Sequence, residues 1–157
     1  MDIFLEYLFQ AIAAFVGTVA FCILFSVPLK QYFFCGFGGI VSWLVYYACE
    51  PFIGAVFATF FATLAIVLYS RIFAIYRKCP VTVFLVCGII PLVPGSAIYY
   101  TAYYFFMDDM AKASHYGLLT FKIAMAIVMG MVVVLALPIR KRKKIPKDTV
   151  SNITAKQ

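Results

Sequence analysis

A run of helix-breaking residues, Pro91-Leu-Val-Pro94-Gly95-Ser96, interrupts the long apolar segment from Val81 to Phe106. Each proline removes a backbone N–H donor and clashes with the preceding helical turn, and the glycine adds backbone freedom. One proline would only kink a helix, which is the simpler reading, whereas two prolines followed by Gly-Ser indicate an interruption. In lipid, unwound backbone is tolerated only beside protein or a watery cavity. The run therefore predicts a binding site of the kind that transporters form at broken helices.

The residues after the break carry groups that suit an anion. We expect a half-helix to begin at Ser96, with its free N–H groups and positive dipole end facing the bilayer centre. Such a helix start binds carboxylates. Tyr99 and Tyr103 lie on the same helical face as Ser96, although tyrosines near a membrane surface also form interfacial belts. The predicted substrate-binding residues of this segment are Pro94, Gly95, Ser96, Tyr99, Tyr100 and Tyr103.

Lys122 is the clearest charge within an apolar segment and completes the predicted substrate-binding set. An ionisable residue inside a membrane span is a functional candidate by default. The alternatives are that Lys122 reaches the outer interface or that it pairs with Asp108 or Asp109. The sequence leaves these readings open.

The elements that must position these residues are membrane spans. The 157-residue chain is 66% hydrophobic and 12% charged, which no soluble domain of this size could bury. An all-α integral membrane protein of five helices follows, the fourth broken near the bilayer centre by Pro91/Pro94-Gly95. We expect a transmembrane domain over 1–139 and a basic cytoplasmic tail over 140–157. The predicted spans are Leu5 to Pro28, Tyr32 to Ala48, Phe52 to Ile75, Val81 to Phe106 and Tyr116 to Leu137.

The charge pattern predicts the orientation. The basic run Arg140-Lys-Arg-Lys-Lys144 places the C-terminus in the cytoplasm, and five spans then place the N-terminus outside. The connection with Lys30 and that with Arg77 and Lys78 fall inside, whereas the acidic residues fall outside. The exception is Lys112. The predicted location is the cell inner (cytoplasmic) membrane, and the net charge of +7 reflects topology rather than nucleic-acid binding.

The sequence lacks the motifs of metal binding, nucleotide binding and catalysis. The five cysteines show no CxxC pair and no metal spacing, so we expect them to pack as small apolar residues. His115 is isolated in a predicted outer loop. The sequence has no Walker-type phosphate loop and too few ionisable groups for an intramembrane active site. We therefore expect no cofactor, no metal and no enzymatic activity.

Three sequence runs resemble the threonine/serine exporter (ThrE) family, in particular its small membrane-only YjjB-like subunit. The runs are Cys79-Pro-Val-Thr-Val-Phe84, Gly88-Ile-Ile-Pro-Leu-Val-Pro-Gly95 and Tyr99-Tyr-Thr101, with weaker similarity at Ser26-Val-Pro28 and Cys35-Gly36. The resemblance implies a larger companion subunit that has five spans of its own and a hydrophilic domain. It also implies export of threonine and serine or, in some two-subunit systems, of succinate.

Small residues at four-residue spacing predict close helix contacts in lipid, within the bundle or with a partner subunit. They are Gly54, Ala58 and Ala62, then Ala13 and Gly17, and finally Ala126 and Gly130. Together with the break and the resemblance, they predict one subunit of a secondary exporter for small carboxylate metabolites. The alternative is a membrane assembly or scaffold protein without its own transport path.

Overall fold

The computed structural model describes residues 2–137, so the predicted basic tail at 140–157 lies outside the described residues. The described part is all helical and contains no strand. Short 3₁₀ turns precede α2 and follow α3. The helices are α1 (Asp2–Leu24), α2 (Tyr32–Arg77), α3 (Val81–Ile89), α4 (Gly95–Phe106) and α5 (Met110–Ala136).

Helix α2 folds back on itself and forms two antiparallel arms, 32–53 and 55–77. The Tyr69 hydroxyl donates to the Phe34 carbonyl at 2.8 Å, and the rings of Phe34 and Phe73 lie 5.5 Å apart. On a straight helix, positions 34 and 69 would be roughly 50 Å apart at 1.5 Å per residue. The segments predicted as the second and third spans are therefore the two arms of one helix, and the connection expected at Cys49-Glu50-Pro51 is helical.

The reversal occurs at Gly54, the one residue inside α2 with non-helical backbone angles (φ 79°, ψ 162°). These angles lie in a region that is essentially restricted to glycine. Gly54 therefore does not extend the predicted small-residue face. Ala58 and Ala62 of that face are fully buried, and Gly130 of α5 packs against Thr63.

The predicted broken span is present as two half-helices. The segments Val81–Leu92 and Gly95–Phe106 meet at a bend of 49°. The second half-helix begins at Gly95 rather than at Ser96, and Pro94 is its N-cap residue. The break thus separates two segments of similar length, as the sequence predicts.

Helix α5 begins at Met110, so the predicted connection from 107 to 115 is wrong over most of its length. The Asp109 side chain accepts a hydrogen bond from the Lys112 backbone N–H at 3.1 Å and caps the helix. This polar cap extends the helix six residues before the apolar segment on which the prediction was based.

The basic side chains of Arg71 and Arg77 lie at the opposite end of the bundle from the acidic side chain of Glu6. At one end, Arg77 donates to the Lys30 carbonyl and to Gln31 at 3.3 and 3.2 Å. Arg71 donates to the Leu135 and Leu137 carbonyls at 2.6 and 2.8 Å, where α5 ends. At the other end, Tyr47 donates to Glu6. Lys30 lies just before the first arm of α2 and Tyr47 lies near its other end, roughly 25 Å away at 1.5 Å per residue.

Within residues 2–137, three helical segments are long and apolar enough to cross a membrane, namely Leu5–Leu24, Leu29–Arg77 and Met110–Ala136. The bent pair at the break makes a fourth if it is one span. Many large apolar side chains face outward; Phe9, for example, is 73% exposed. Such a surface matches a lipid environment.

Candidate functional site

The break lines a cavity of about 410 Å³ between α2, the broken segment and α5. Its volume lies in the usual range for small-molecule sites. Residues 91–97 form one wall, the two arms of α2 form the facing wall, and Leu119 and Ile123 of α5 close one side. The structure therefore places Pro94, Gly95 and Ser96 of the predicted site in one cavity.

The backbone at the break leaves amide groups available to a ligand. The Gly95 N–H donates to the Val93 carbonyl at 2.7 Å, and the Ile98 N–H donates to the Pro94 carbonyl at 3.0 Å. Between them, the amides of Ser96 and Ala97 have no protein acceptor among residues 2–137. Free N–H groups at a helix start carry the partial positive charge of the helix dipole. This wall therefore favours a negatively charged group.

A hydrogen bond from α2 holds the end of α3 just before the unwound segment. The Ser42 hydroxyl lies 2.8 Å from the Gly88 carbonyl and 2.9 Å from the Gly39 carbonyl. Ser42 is fully buried, so its hydroxyl needs a partner within the protein. The contact fixes the end of α3 against the first arm of α2, two residues before the turn that begins at Ile90.

The facing wall carries polar side chains that the sequence analysis did not assign to the site. Trp43, Tyr46 and Glu50 line the cavity together with Thr59. Trp43 stacks on Tyr46 with ring centroids 5.3 Å apart and donates from its indole N–H to Gln10 at 2.9 Å. The Tyr46 hydroxyl lies 3.4 Å from a Glu50 carboxylate oxygen. Glu50 thus brings a carboxylate to the wall opposite the free amides.

The sequence contains a signal for this wall. Trp43, Tyr46 and Glu50 are spaced at i, i+3 and i+7, which places them on one helical face. The expectation that Glu50 lies in an outer loop separated it from the other two. Because α2 continues through Cys49-Glu50-Pro51, the same face extends to Glu50.

The predicted tyrosines lie outside the lining of this cavity. Tyr99, Tyr100 and Tyr103 are 62%, 42% and 41% exposed. Tyr99 stacks on Tyr103 with centroids 6.2 Å apart, and Tyr100 lies 5.3 Å from the Tyr116 ring of α5. The Tyr100–Tyr116 contact joins α4 to α5, and a role of the three tyrosines in substrate binding stays a prediction.

Lys122 is exposed on α5 and also lies outside the cavity lining. Its predicted partner Asp109 instead pairs with Lys112, whose Nζ lies 2.9 Å from Asp109 Oδ2. The Lys112 hydrogen bonds lower the pKa of the Asp109 carboxyl because they favour its charged form. A site role for Lys122 stays a prediction.

A helical membrane protein with a broken helix beside a polar cavity has the architecture of a transport protein. The model of the family described as Threonine/Serine exporter, ThrE, matches residues 10–137. The chain belongs to this family, as its sequence runs around the break predicted. No curated protein and no solved structure matches the chain significantly.

Proposed function

We propose that this chain is one subunit of a secondary exporter, and that its cargo binds in the cavity at the helix break. The observation that carries the proposal is that the unbonded backbone amides of Ser96 and Ala97 lie in the lining of a cavity of about 410 Å³. The amides receive the carboxylate of a small metabolite at the positive end of α4. Pro94, Gly95 and Ser96 form this part of the site.

Glu50 favours an amino acid, such as threonine or serine, over succinate. It is the one carboxylate among the residues that line the cavity. An ammonium group facing Glu50 would gain a charge-assisted hydrogen bond. A second carboxylate in the same place would be repelled. The cavity thus offers complementary groups to both ends of a zwitterion.

The charge distribution supports five passes with the N-terminus outside and the C-terminus in the cytoplasm. The two arms of α2 count separately, and the basic end at Lys30 and Arg77 is then cytoplasmic. Single cysteines at Lys30 and Ala111, in a cysteine-free background, are expected to react with a membrane-impermeant reagent from opposite sides. Labelling of both positions from one side would contradict this topology.

The outer face of α1 has features that favour the proposal of a larger companion subunit. Ala13 and Gly17 line an open groove of about 310 Å³, between α1, Trp43 and the break. A side chain at Gly17 would meet nothing within 4 Å. Small residues on an open face permit close helix approach in lipid. The groove therefore provides a contact surface beside the transport site.

The test compares Glu50→Gln with Glu6→Gln in cells or vesicles that contain the chain and its companion. We expect Glu50→Gln to raise the threonine concentration for half-maximal export by about tenfold or more, because a hydrogen bond to a charged group contributes about 1.5–3 kcal/mol. Glu6→Gln removes the same charge outside the cavity lining and should leave this concentration unchanged. Unchanged threonine export by Glu50→Gln would remove Glu50 from the site.

The alternative function is a membrane assembly or scaffold protein. It predicts that the companion alone transports at the full rate when it is stably expressed. The proposal predicts instead that neither chain alone transports. Full export by either chain alone would contradict the two-subunit proposal.

A further inference from the structure

Three cysteines from three different helices meet inside the bundle. Cys22 of α1, Cys35 of α2 and Cys87 of α3 are all fully buried. Their Sγ atoms lie within 4.8 Å of one another. The three positions are distant in sequence and form no recognisable metal motif, so only the fold brings them together.

The surroundings of these thiols are apolar. Ala74 and Phe84 complete the buried cluster, and Phe34 and Phe73 pack around it. The nearest polar contact in the described residues is weak, from the Cys35 thiol to the Val83 carbonyl at 3.8 Å. Among residues 2–137, this weak contact is the one hydrogen bond to oxygen or nitrogen that the three soft sulfur donors make.

We propose that Cys22, Cys35 and Cys87 form a three-coordinate site for a monovalent thiophilic ion of the Cu(I) class. Thiolate and other sulfur ligands select Cu(I) among the biological metals. Structural zinc takes four ligands, and this cluster supplies three. The choice of ion thus follows from the donor type and from the donor number.

Metal binding changes the protonation of the cluster. The thiolate, not the thiol, is the metal ligand, so each cysteine that binds the ion loses its proton. Three ligating cysteines release three protons to solvent per ion bound, as three S–H bonds are replaced by three metal–sulfur bonds. Retention of the ion should therefore weaken as the pH falls.

An ion bound to the three cysteines would link α1, α2 and α3 close to the helix break. Cys87 directly precedes Gly88, whose carbonyl contacts Ser42, and the 3₁₀ turn begins at Ile90. A bound ion would link the end of α3 to α1 and to the first arm of α2. The ion should therefore stabilise the inner half of the broken segment, whatever the cargo is.

The test is anaerobic titration of the purified full chain with Cu(I), against a chromophoric Cu(I) chelator. We expect one Cu(I) to be retained per chain, with a rise in the midpoint of thermal unfolding. Cys22→Ala, Cys35→Ala and Cys87→Ala should each lose this retention. Cys49→Ala and Cys79→Ala are matched controls outside the three-sulfur cluster and should keep it.

Failure of the chain to compete with the chelator would overturn the proposal, as would equal retention by the three cluster variants. If an alanine variant gives no folded protein, the matching serine variant replaces the soft sulfur by oxygen at similar volume. A folded Cys87→Ser variant that still retains Cu(I) would likewise contradict the site.

Discussion

The helices approach closely in the half of the bundle built around Gly36, Gly39 and Gly88, here called the closed half, and much less closely around the break. A Cβ atom at Gly39 would lie 2.0 Å from Thr18 Oγ1, and one at Gly88 would lie 2.4 Å from Ile66 Cδ1. In the half around Gly54 and the break, here called the open half, added Cβ atoms at Gly54 and Gly95 would meet nothing within 4 Å. Glycine therefore has different uses in the two halves.

In the closed half, glycine permits contact between helix surfaces, which drives helix association in lipid. In the open half, glycine permits a chain reversal and an interruption, and the space left there becomes the cavity. A rigid half that fixes α3 beside an open half that exposes free amides is the arrangement expected of a preorganised binding site. The predictions below test this division.

The largest effect on stability is expected from Gly39→Ala. The added methyl group overlaps Thr18, whose hydroxyl already donates to the Ala14 carbonyl at 2.7 Å. Overpacking of this kind costs about 1–3 kcal/mol or more. Gly17→Ala, one residue from Thr18 but with open space around it, should instead stabilise the helix by up to about 1 kcal/mol. Thermal unfolding of the purified variants measures both; equal midpoints would contradict the division.

A smaller loss of stability is expected from Gly54→Ala. The change forces a side chain into the backbone region of φ 79° and ψ 162°, at a cost of about 1–3 kcal/mol. Gly95→Ala is the matched control, since Gly95 has open space and helical backbone. Thermal unfolding should separate the two variants, and a Gly54→Ala variant as stable as Gly95→Ala would show that the reversal does not depend on glycine.

The smallest effect is expected from Ser96→Ala, and it concerns transport rather than stability. The change removes one hydroxyl from the cavity wall and leaves the helix start intact, so about 0.5–1.5 kcal/mol of binding is at stake. We expect the threonine concentration for half-maximal export to rise by about two- to tenfold. Complete loss of export by a well-expressed Ser96→Ala protein would assign the hydroxyl a larger role than the backbone amides.

The sequence was sufficient to predict the membrane class, the family and the broken helix, because these depend on composition and on local helix-breaking residues. It also led to Pro94, Gly95 and Ser96, which line the cavity because they are contiguous with the break, and their role in substrate binding stays a prediction. The opposite wall was missed because Glu50 precedes Pro51, and a charge beside a proline between two apolar segments predicts a loop. The reversal instead occurs at Gly54, where the backbone angles require glycine.

The meeting of Cys22, Cys35 and Cys87 could not be read from spacing. Their proximity depends on how α1, the first arm of α2 and α3 rotate about their axes and pack. Similarly, the sequence could not place Lys122 inside or outside the cavity. Along an α-helix, the side-chain direction turns by about 100° from each residue to the next. A small error in the rotation of α5 would therefore move Lys122 into or out of the cavity.

The central claim is that the break forms the transport site, and the double variant Pro91→Ala with Pro94→Ala tests it most directly. Restoring both N–H donors should join α3 and α4 into one helix at little cost in stability. The Ser96 and Ala97 amides would then be satisfied within that helix and lost to the cargo.

The matched control is Pro28→Ala with Pro80→Ala, which changes two prolines at helix starts away from the cavity. Export of labelled threonine and the amount of folded protein are measured together for both double variants, with the companion subunit present. The account predicts that the Pro91/Pro94 variant folds and loses export, while the control keeps it. A Pro91/Pro94 variant that expresses normally and exports at the parental rate would show that the break is only a structural kink.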